Sequence, residues 1–279
     1  MTNKRRRMLR RWALAAILVP ITAVALFPFY WTVISSLKSP SEILQVPITF
    51  VPTVPTLDNY QTVIFESRFV RGLANSTIVA TSASLIGLFM AGLGAYALAR
   101  FRFRGRHFLS MFILITQMFP LAVLIVPLFI VWRTFHLTNT LPGLVGVNVA
   151  VTLPLGLWLL RSYYTSIPDE LEDAARVDGC TYFGVFRRII VPLSLPGLVA
   201  VFIYCFTVCW QEYLFAITFI ASDQLKTLPV VLNSFGNQYG IQWGPTMAAS
   251  VLMTLPVAIV YLLLQRYFLA GLTAGAVKA

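Results

Sequence analysis

Six stretches of the chain contain no Asp, Glu, Lys or Arg: 12–37, 72–99, 108–132, 134–160, 189–211 and 227–265. Each is long enough for a membrane-crossing helix, which needs about 20 mostly apolar residues. None alternates in polarity as barrel strands do. In the last run the opening "TLPVVLNSFGNQYGIQWGP" is too polar and too rich in Gly and Pro for lipid. Its span is therefore set at 245–268, with Pro245 in the first turn, where a missing N–H does no harm. The pattern predicts an all-α integral membrane protein with six transmembrane helices, at about 12–36, 72–99, 108–132, 141–161, 196–221 and 245–268. The first is read as retained, because its apolar run is longer than that of a signal peptide and lacks a convincing A-x-A site.

Composition supports this reading. The chain is 58% hydrophobic and 11% charged, where soluble domains average about 25% charged. Lys and Arg in loops stay preferentially in the cytoplasm. With the N-terminus inside, the inner segments collect most of the basic residues, including Arg100, Arg102, Arg104, Arg106, Arg161, Arg176, Arg187, Arg188, Arg266 and Lys278. The outer segments keep Lys38, Arg68, Arg71, Arg133 and Lys226. Both termini are thus expected to be cytoplasmic. The net charge of +11 follows from this topology and from anionic lipid headgroups, so no nucleic acid is called for. Cys180, Cys205 and Cys209 have no ligand partner and suggest no metal site.

Half of the acids fall in one cytoplasmic segment, "PDELEDAARVDG", as Asp169, Glu170, Glu172, Asp173 and Asp178. The punctuation predicts a short helix. Ser166 stands three residues before Asp169 at capping-box spacing, and Pro168 suits a first turn. Acids crowd the end where the helix dipole favours them, and Gly179 can adopt the left-handed conformation that stops a helix. Leu171, Ala174, Ala175 and Asp178 share a face by spacing. The consecutive alanines would admit another surface close to the backbone, and Glu172 beside them could pair with a partner's basic group. The residues alone leave open a docking helix or a solvated loop.

This segment, continued through "CTYFGVFRRIIVPLSLPG", resembles the EAA loop of ATP-binding-cassette importer permeases, E-A-A-x-x-x-G followed after nine residues by I-x-L-P. The match is read at Glu172, Ala174, Ala175, Gly179, Ile190 and Pro192, with Asp173 in the first alanine slot. "PTLDNY" (55–60), "NSTIVA" (75–80), "GAYALARFRFRGR" (94–106), "IPDELEDAARVDG" (167–179) and "QRYFLAGLTAGAVK" (265–278) resemble the carbohydrate-uptake, maltose-type branch. The resemblance implies a type I importer permease fold, with residues 163–195 as the cytoplasmic coupling loop. It implies a heterodimer with a second permease, two ATPase subunits that carry ATP and Mg, and an extracytoplasmic solute-binding protein, in the cytoplasmic (inner) membrane of a bacterium or archaeon. Glu172, Ala174, Ala175, Asp178 and Gly179 would couple to the ATPase, Glu172 by pairing with a basic side chain there. Thr273, Gly275 and Lys278 in the tail would add a second contact. The transported solute would be a mono-, di- or oligosaccharide, a polyol, or a glycerol-phosphodiester-like compound.

Glu212 is the one acid inside a predicted span, where a charge costs about 2.5–3.5 kcal/mol and normally faces a bundle interior or cavity. It either lines the path or bonds a neighbouring helix; Gln211, Tyr213, Gln117 and Asn148 are further path candidates. No catalytic residue is assigned. The chain has no G-x-x-x-x-G-K-[ST], H-E-x-x-H or G-x-S-x-G motif, so ATP chemistry must lie on another subunit and no cofactor is expected here. The rival reading is a stand-alone secondary transporter, which would usually show paired repeats and ionisable midplane residues.

Overall fold

The computed structural model describes residues 3–237 and 240–276, the side chains of 3–11, 13, 237 and 268–276 aside. Among the described residues, the regular secondary structure is helical apart from one antiparallel pair of two-residue strands, β1 (Gly236–Asn237) and β2 (Gly240–Ile241). It divides into two compact units, Met1–Phe69 with Leu232–Thr254, and Val70–Val231 with Leu255–Ala279.

The first unit opens with α1 (Asn3–Ser36), which carries Pro20 and Pro28. Its apolar segment Leu14–Ser36 buries no apolar side chain within the chain, only Ser35 and Ser36 at its end. That is the behaviour of a helix whose solvent is lipid or another subunit. The connecting segment after α1 is held by polar bonds rather than by periodic structure. The Glu42 carboxylate accepts hydrogen bonds from the Thr53 hydroxyl at 2.6 Å, the Thr53 amide at 2.8 Å and the Thr49 hydroxyl at 3.1 Å. Lys38, itself buried, donates to the Thr49 carbonyl and lies over the Trp31 ring. The Asn59 amide closes the segment on the Ser36 and Lys38 carbonyls, at 2.9 and 2.8 Å.

The second unit is built on α2 (Phe69–Arg100) and α5 (Leu141–Thr165). Between them run α3 (Arg106–Thr116) and α4 (Leu121–Thr134). After α5 come α6 (Glu170–Val177), a helical stretch from Tyr182 to Leu193, α7 (Leu195–Gln211), α8 (Leu214–Phe219) and α9 (Leu228–Asn233). The last helix, α10 (Trp243–Ala276), begins in the first unit and ends in the second. Small residues let α2 and α5 approach closely, which is how helices bind one another where lipid removes the hydrophobic drive. At Gly94 an added Cβ would stand 2.8 Å from Leu157, and at Gly156 it would stand 3.6 Å from the Ala91 methyl. One buried cluster, with Tyr96, Leu160, Tyr164, Phe186 and Val201, lies toward the end of α2 that bears Arg100; a second gathers Val79, Val147, Phe215 and Phe219.

Among the described residues, four helices are long and apolar enough to cross a membrane, and two more crossings require a bent pair each. The spans expected at 108–132 and 196–221 are therefore not single helices. The first is bent by 105° between α3 and α4, where Pro120 stands extended at the head of α4. Proline has no N–H for the preceding turn and disfavours helical geometry in the residue before it. The second bent pair, Tyr182–Leu193 with Leu195–Gln211, turns by 80° about Ser194. The helix expected to run on to 221 stops at Gln211, where Glu212 is extended, with ψ 122°, and turns its carboxylate to the next helix. The Ser166 capping box is also absent. Ser166 closes the end of α5, its hydroxyl donating to the Tyr163 carbonyl at 2.7 Å, and Asp169 precedes α6 without a side-chain cap.

Candidate functional site

The eight residues of α6 end as the glycine requires. Gly179 sits at φ +84°, its amide donating to the Arg176 carbonyl at 3.0 Å while the Cys180 amide reaches back to Ala175 at 3.0 Å. These two bonds form the Schellman arrangement, which satisfies carbonyls the helix leaves open. No atom lies near the position of a Gly179 Cβ, so conformation alone selects glycine there.

The helix turns Glu172 and Ala175 inward. Glu172 is 7% exposed. Its Oε2 accepts from the Tyr96 hydroxyl at 2.9 Å, and its Oε1 accepts from Arg100 Nε at 2.5 Å. The same guanidinium donates to the Ile167 carbonyl at 2.8 Å and meets the exposed Asp169 at 2.6 Å. Arg100 thus grips α6 and the residues that lead into it at three points with its planar fork, a geometry lysine does not provide. Two sequence expectations are corrected here. Glu172 is occupied inside the chain and does not stand ready for a partner's basic group. Ala175 belongs to the buried cluster with Tyr96, Ile167 and Val185, so only Ala174 offers close approach from outside.

The outward face is formed by Leu171, Asp173, Ala174, Val177 and Asp178, all exposed. Val177 is 88% exposed and Phe183, beyond the turn, 63%. Asp173 meets Arg176 at 3.4 Å, an exposed pair of small net value, and the Arg176 guanidinium lies 4.8 Å from the centre of the Tyr182 ring. Of the two acids that precede the alanines, the outward one is therefore Asp173. It stands six residues before Gly179, which is the glutamate position in the spacing E-A-A-x-x-x-G. Counting back from the glycine would have identified it. Tyr96 and Arg100 lay unremarked in the quoted "GAYALAR", and nothing local to those residues announces a partner more than seventy positions away.

The path candidates do not converge. Glu212 accepts from the Phe215 and Ala216 amides at 2.6 and 3.0 Å, capping the head of α8 with a charge the helix dipole favours. That use answers why an acid is tolerated inside the span. Asn148 is buried, its amide donating to the Leu144 carbonyl at 2.8 Å. Gln117 lines a groove of about 440 Å³ with Leu121, Pro154, Tyr204 and Val208, and Glu212, Gln211, Tyr213 and Asn148 are not among its lining residues. Gln211 is exposed and Tyr213 half-buried beside the break in the helix. In the tail, Thr273 and Gly275 fall on the backbone of α10, their side chains outside the described residues, and Lys278 lies outside them altogether.

Comparison with known proteins follows the same lines. The family described as "binding-protein-dependent transport system inner membrane component" matches residues 83–273. The chain is 39% identical to the inner membrane ABC transporter permease protein YcjP of Escherichia coli, over 99% of both chains. It is 36% identical to the trehalose/maltose transport system permease protein MalG of Thermococcus litoralis, over 98% of this chain and 99% of that one. In fold it is similar to a chain from the crystal structure of a bacterial ABC transporter involved in the import of the acidic polysaccharide alginate. There the TM-score is 0.79 at 24% identity, covering 96% of this chain and 99% of that one. A bundle of apolar helices around a short capped acidic helix, matched along nearly its whole length by permeases, belongs to the binding-protein-dependent transport system inner membrane components: the chain is a non-catalytic permease subunit of an ATP-driven importer.

Proposed function

We propose that this permease takes up a sugar or sugar-like solute and docks on its ATPase through the outward face of α6. The observation that carries the docking is the division of that helix. One side is locked into the bundle by Glu172, while the other leaves Leu171, Asp173, Ala174 and Val177 exposed on a helix too short to be stable alone. A solvated loop would not need its apolar residues turned outward. The trehalose/maltose relative supports the solute class. The chain pairs with a second permease, for which the unburied α1 supplies apolar surface, and receives solute from a binding protein outside the membrane. Both termini and the segment 163–195 face the cytoplasm, the third crossing being made by the bent pair α3 and α4 and the fifth by α7 with α8. ATP and Mg bind the partner ATPase, and Gly179 shapes the docking turn. Glu212 serves as a cap, which leaves Gln117, in its groove, as the stronger path candidate.

The test is co-purification of the ATPase with the permease pair from membranes. Ala174→Arg, which places a long charge on the outward face, is expected to lose the ATPase, and Asp173→Lys to weaken its retention. Full retention by both variants would place docking elsewhere and overturn the assignment.

A further inference from the structure

The helix that grips α6 has its other end tied just as deliberately. Near the start of α2 the Asn75 amide donates to the Gln224 and Lys226 carbonyls, at 3.0 and 2.9 Å. The Ser76 hydroxyl accepts from the Leu228 amide at 2.8 Å. Both side chains are buried, at 7% and 3% exposure, so water does not readily replace them as partners of the turn's backbone. At Gly72 an added Cβ would stand 2.9 Å from Val231 and 3.4 Å from the Leu228 backbone. The turn 222–228 is thus fastened to one end of α2, and the coupling helix to the other.

Between those ends α2 is continuous. It has 32 residues and so runs about 48 Å, longer than the roughly 30 Å hydrocarbon core. Among the described helices long enough to cross a membrane, it alone has no proline: α1 carries Pro20 and Pro28, α5 Pro154 and α10 Pro256. Proline is the usual cause of a helix kink, and the two remaining crossings are bent outright. The turn 222–228 has a second tie, to the head of α5, where the Asn139 side-chain oxygen accepts from the Ala221 and Ser222 amides. That route runs through the Pro154 helix.

We infer that α2 is a stiff rod that conveys displacement of the coupling helix to the turn 222–228 on the opposite side of the membrane. Tyr96, Arg100 and Glu172 are positioning residues at one end, and Asn75 and Ser76 at the other. This rests on the reading of α6 as the ATPase-docking helix and of 222–228 as extracytoplasmic. It adds a defined direction of travel: what moves α6 must also move the backbone held by Asn75.

The experiment uses the complete importer in lipid nanodiscs, with Cys180, Cys205 and Cys209 replaced and Gln224→Cys as the exposed reporter. The rate of labelling by a membrane-impermeant maleimide is compared between the nucleotide-free complex and the complex trapped with ATP and vanadate. The rates are expected to differ in the parent. The difference is expected to be lost in Asn75→Ala and in Arg100→Ala while the ATPase still co-purifies, and to survive in Asn139→Gly, which cuts only the other tie. If Arg100→Ala does not assemble, Arg100→Lys, which keeps the charge without the fork, is expected to reduce the difference. Persistence of the parental difference in the Asn75 and Arg100 variants, or its absence in the parent, overturns the rod. A failed docking reading is seen separately, as an ATPase that remains bound to Ala174→Arg.

Discussion

Glu172 in α6 and Glu42 in the segment after α1 are almost equally shielded, at 7% and 8% exposure. Their surroundings differ in kind. Glu42 is solvated by threonine hydroxyls and an amide from seven and eleven residues along the chain. Glu172 meets an arginine and a tyrosine from a different helix, 72 and 76 residues away. The first arrangement shapes a loop and can form as soon as the loop closes. The second exists only once α2 and α6 are packed, and from then on one cannot move without the other. A buried acid therefore reports local order in one region and mechanical linkage in the other, and the partner's distance along the chain tells which.

The comparison breaks most visibly at Arg100. Its removal leaves the Glu172 charge buried with only the Tyr96 hydroxyl, so Arg100→Ala is expected to destabilise the bundle by about 3 kcal/mol, the lower end for one lost partner of a buried pair. Thermal unfolding of the purified permease pair, followed by fluorescence-detected gel filtration, measures this. The double variant Arg100→Met/Glu172→Leu is expected to recover most of the loss, because well-packed apolar residues replace buried pairs at little cost. An equally damaged double variant would show that Arg100 matters through something other than Glu172.

A smaller effect is expected at Glu212, which is half-buried and, like Glu42, has its partners close by in the chain. Glu212→Ala should cost about 1 kcal/mol, the usual value of a helix cap, and should loosen α8 alone. Hydrogen exchange confined to residues 213–219 is the predicted signature, and exchange spreading into α6 would deny the local role.

The smallest effect is expected at Glu42, and it is set by pH. Hydrogen bonds from the Thr53 hydroxyl and amide, with smaller help from Thr49 and the Lys38 charge, hold its carboxyl below the usual carboxylate value. A depressed folded-state pKa means stabilisation that is complete above the unfolded value and is lost as the pH falls through the lowered one. Limited proteolysis of residues 42–56 is therefore expected to accelerate on acidification across that window in the parent, and to be uniformly fast in Glu42→Gln. Acid-insensitive cleavage of the parent would separate Glu42 from the order of the segment.

Much of this was legible in the residues because it depends on local chemistry. The membrane class follows from charge-free length, and the stop of α6 from Gly179, whose φ of +84° is a property of one residue and its neighbours. The breaks at Pro120 and Glu212 were less legible, since the run around Pro120 is free of charge on both sides, a single acid among apolar neighbours does not announce that a helix stops, and a hydropathy window passes over a bend. The inward turn of Glu172 was not legible at all. Adjacent positions on a helix differ by about 100°, so "LEDAA" presents two acids of equal credentials, Glu172 and Asp173, on different faces. Sequence by itself determined that a capped acidic helix would stand between the fourth and fifth crossings of a six-span permease. Only the tertiary structure decided which acid it hides, because that choice belongs to Arg100, which reaches the helix through packing rather than along the chain.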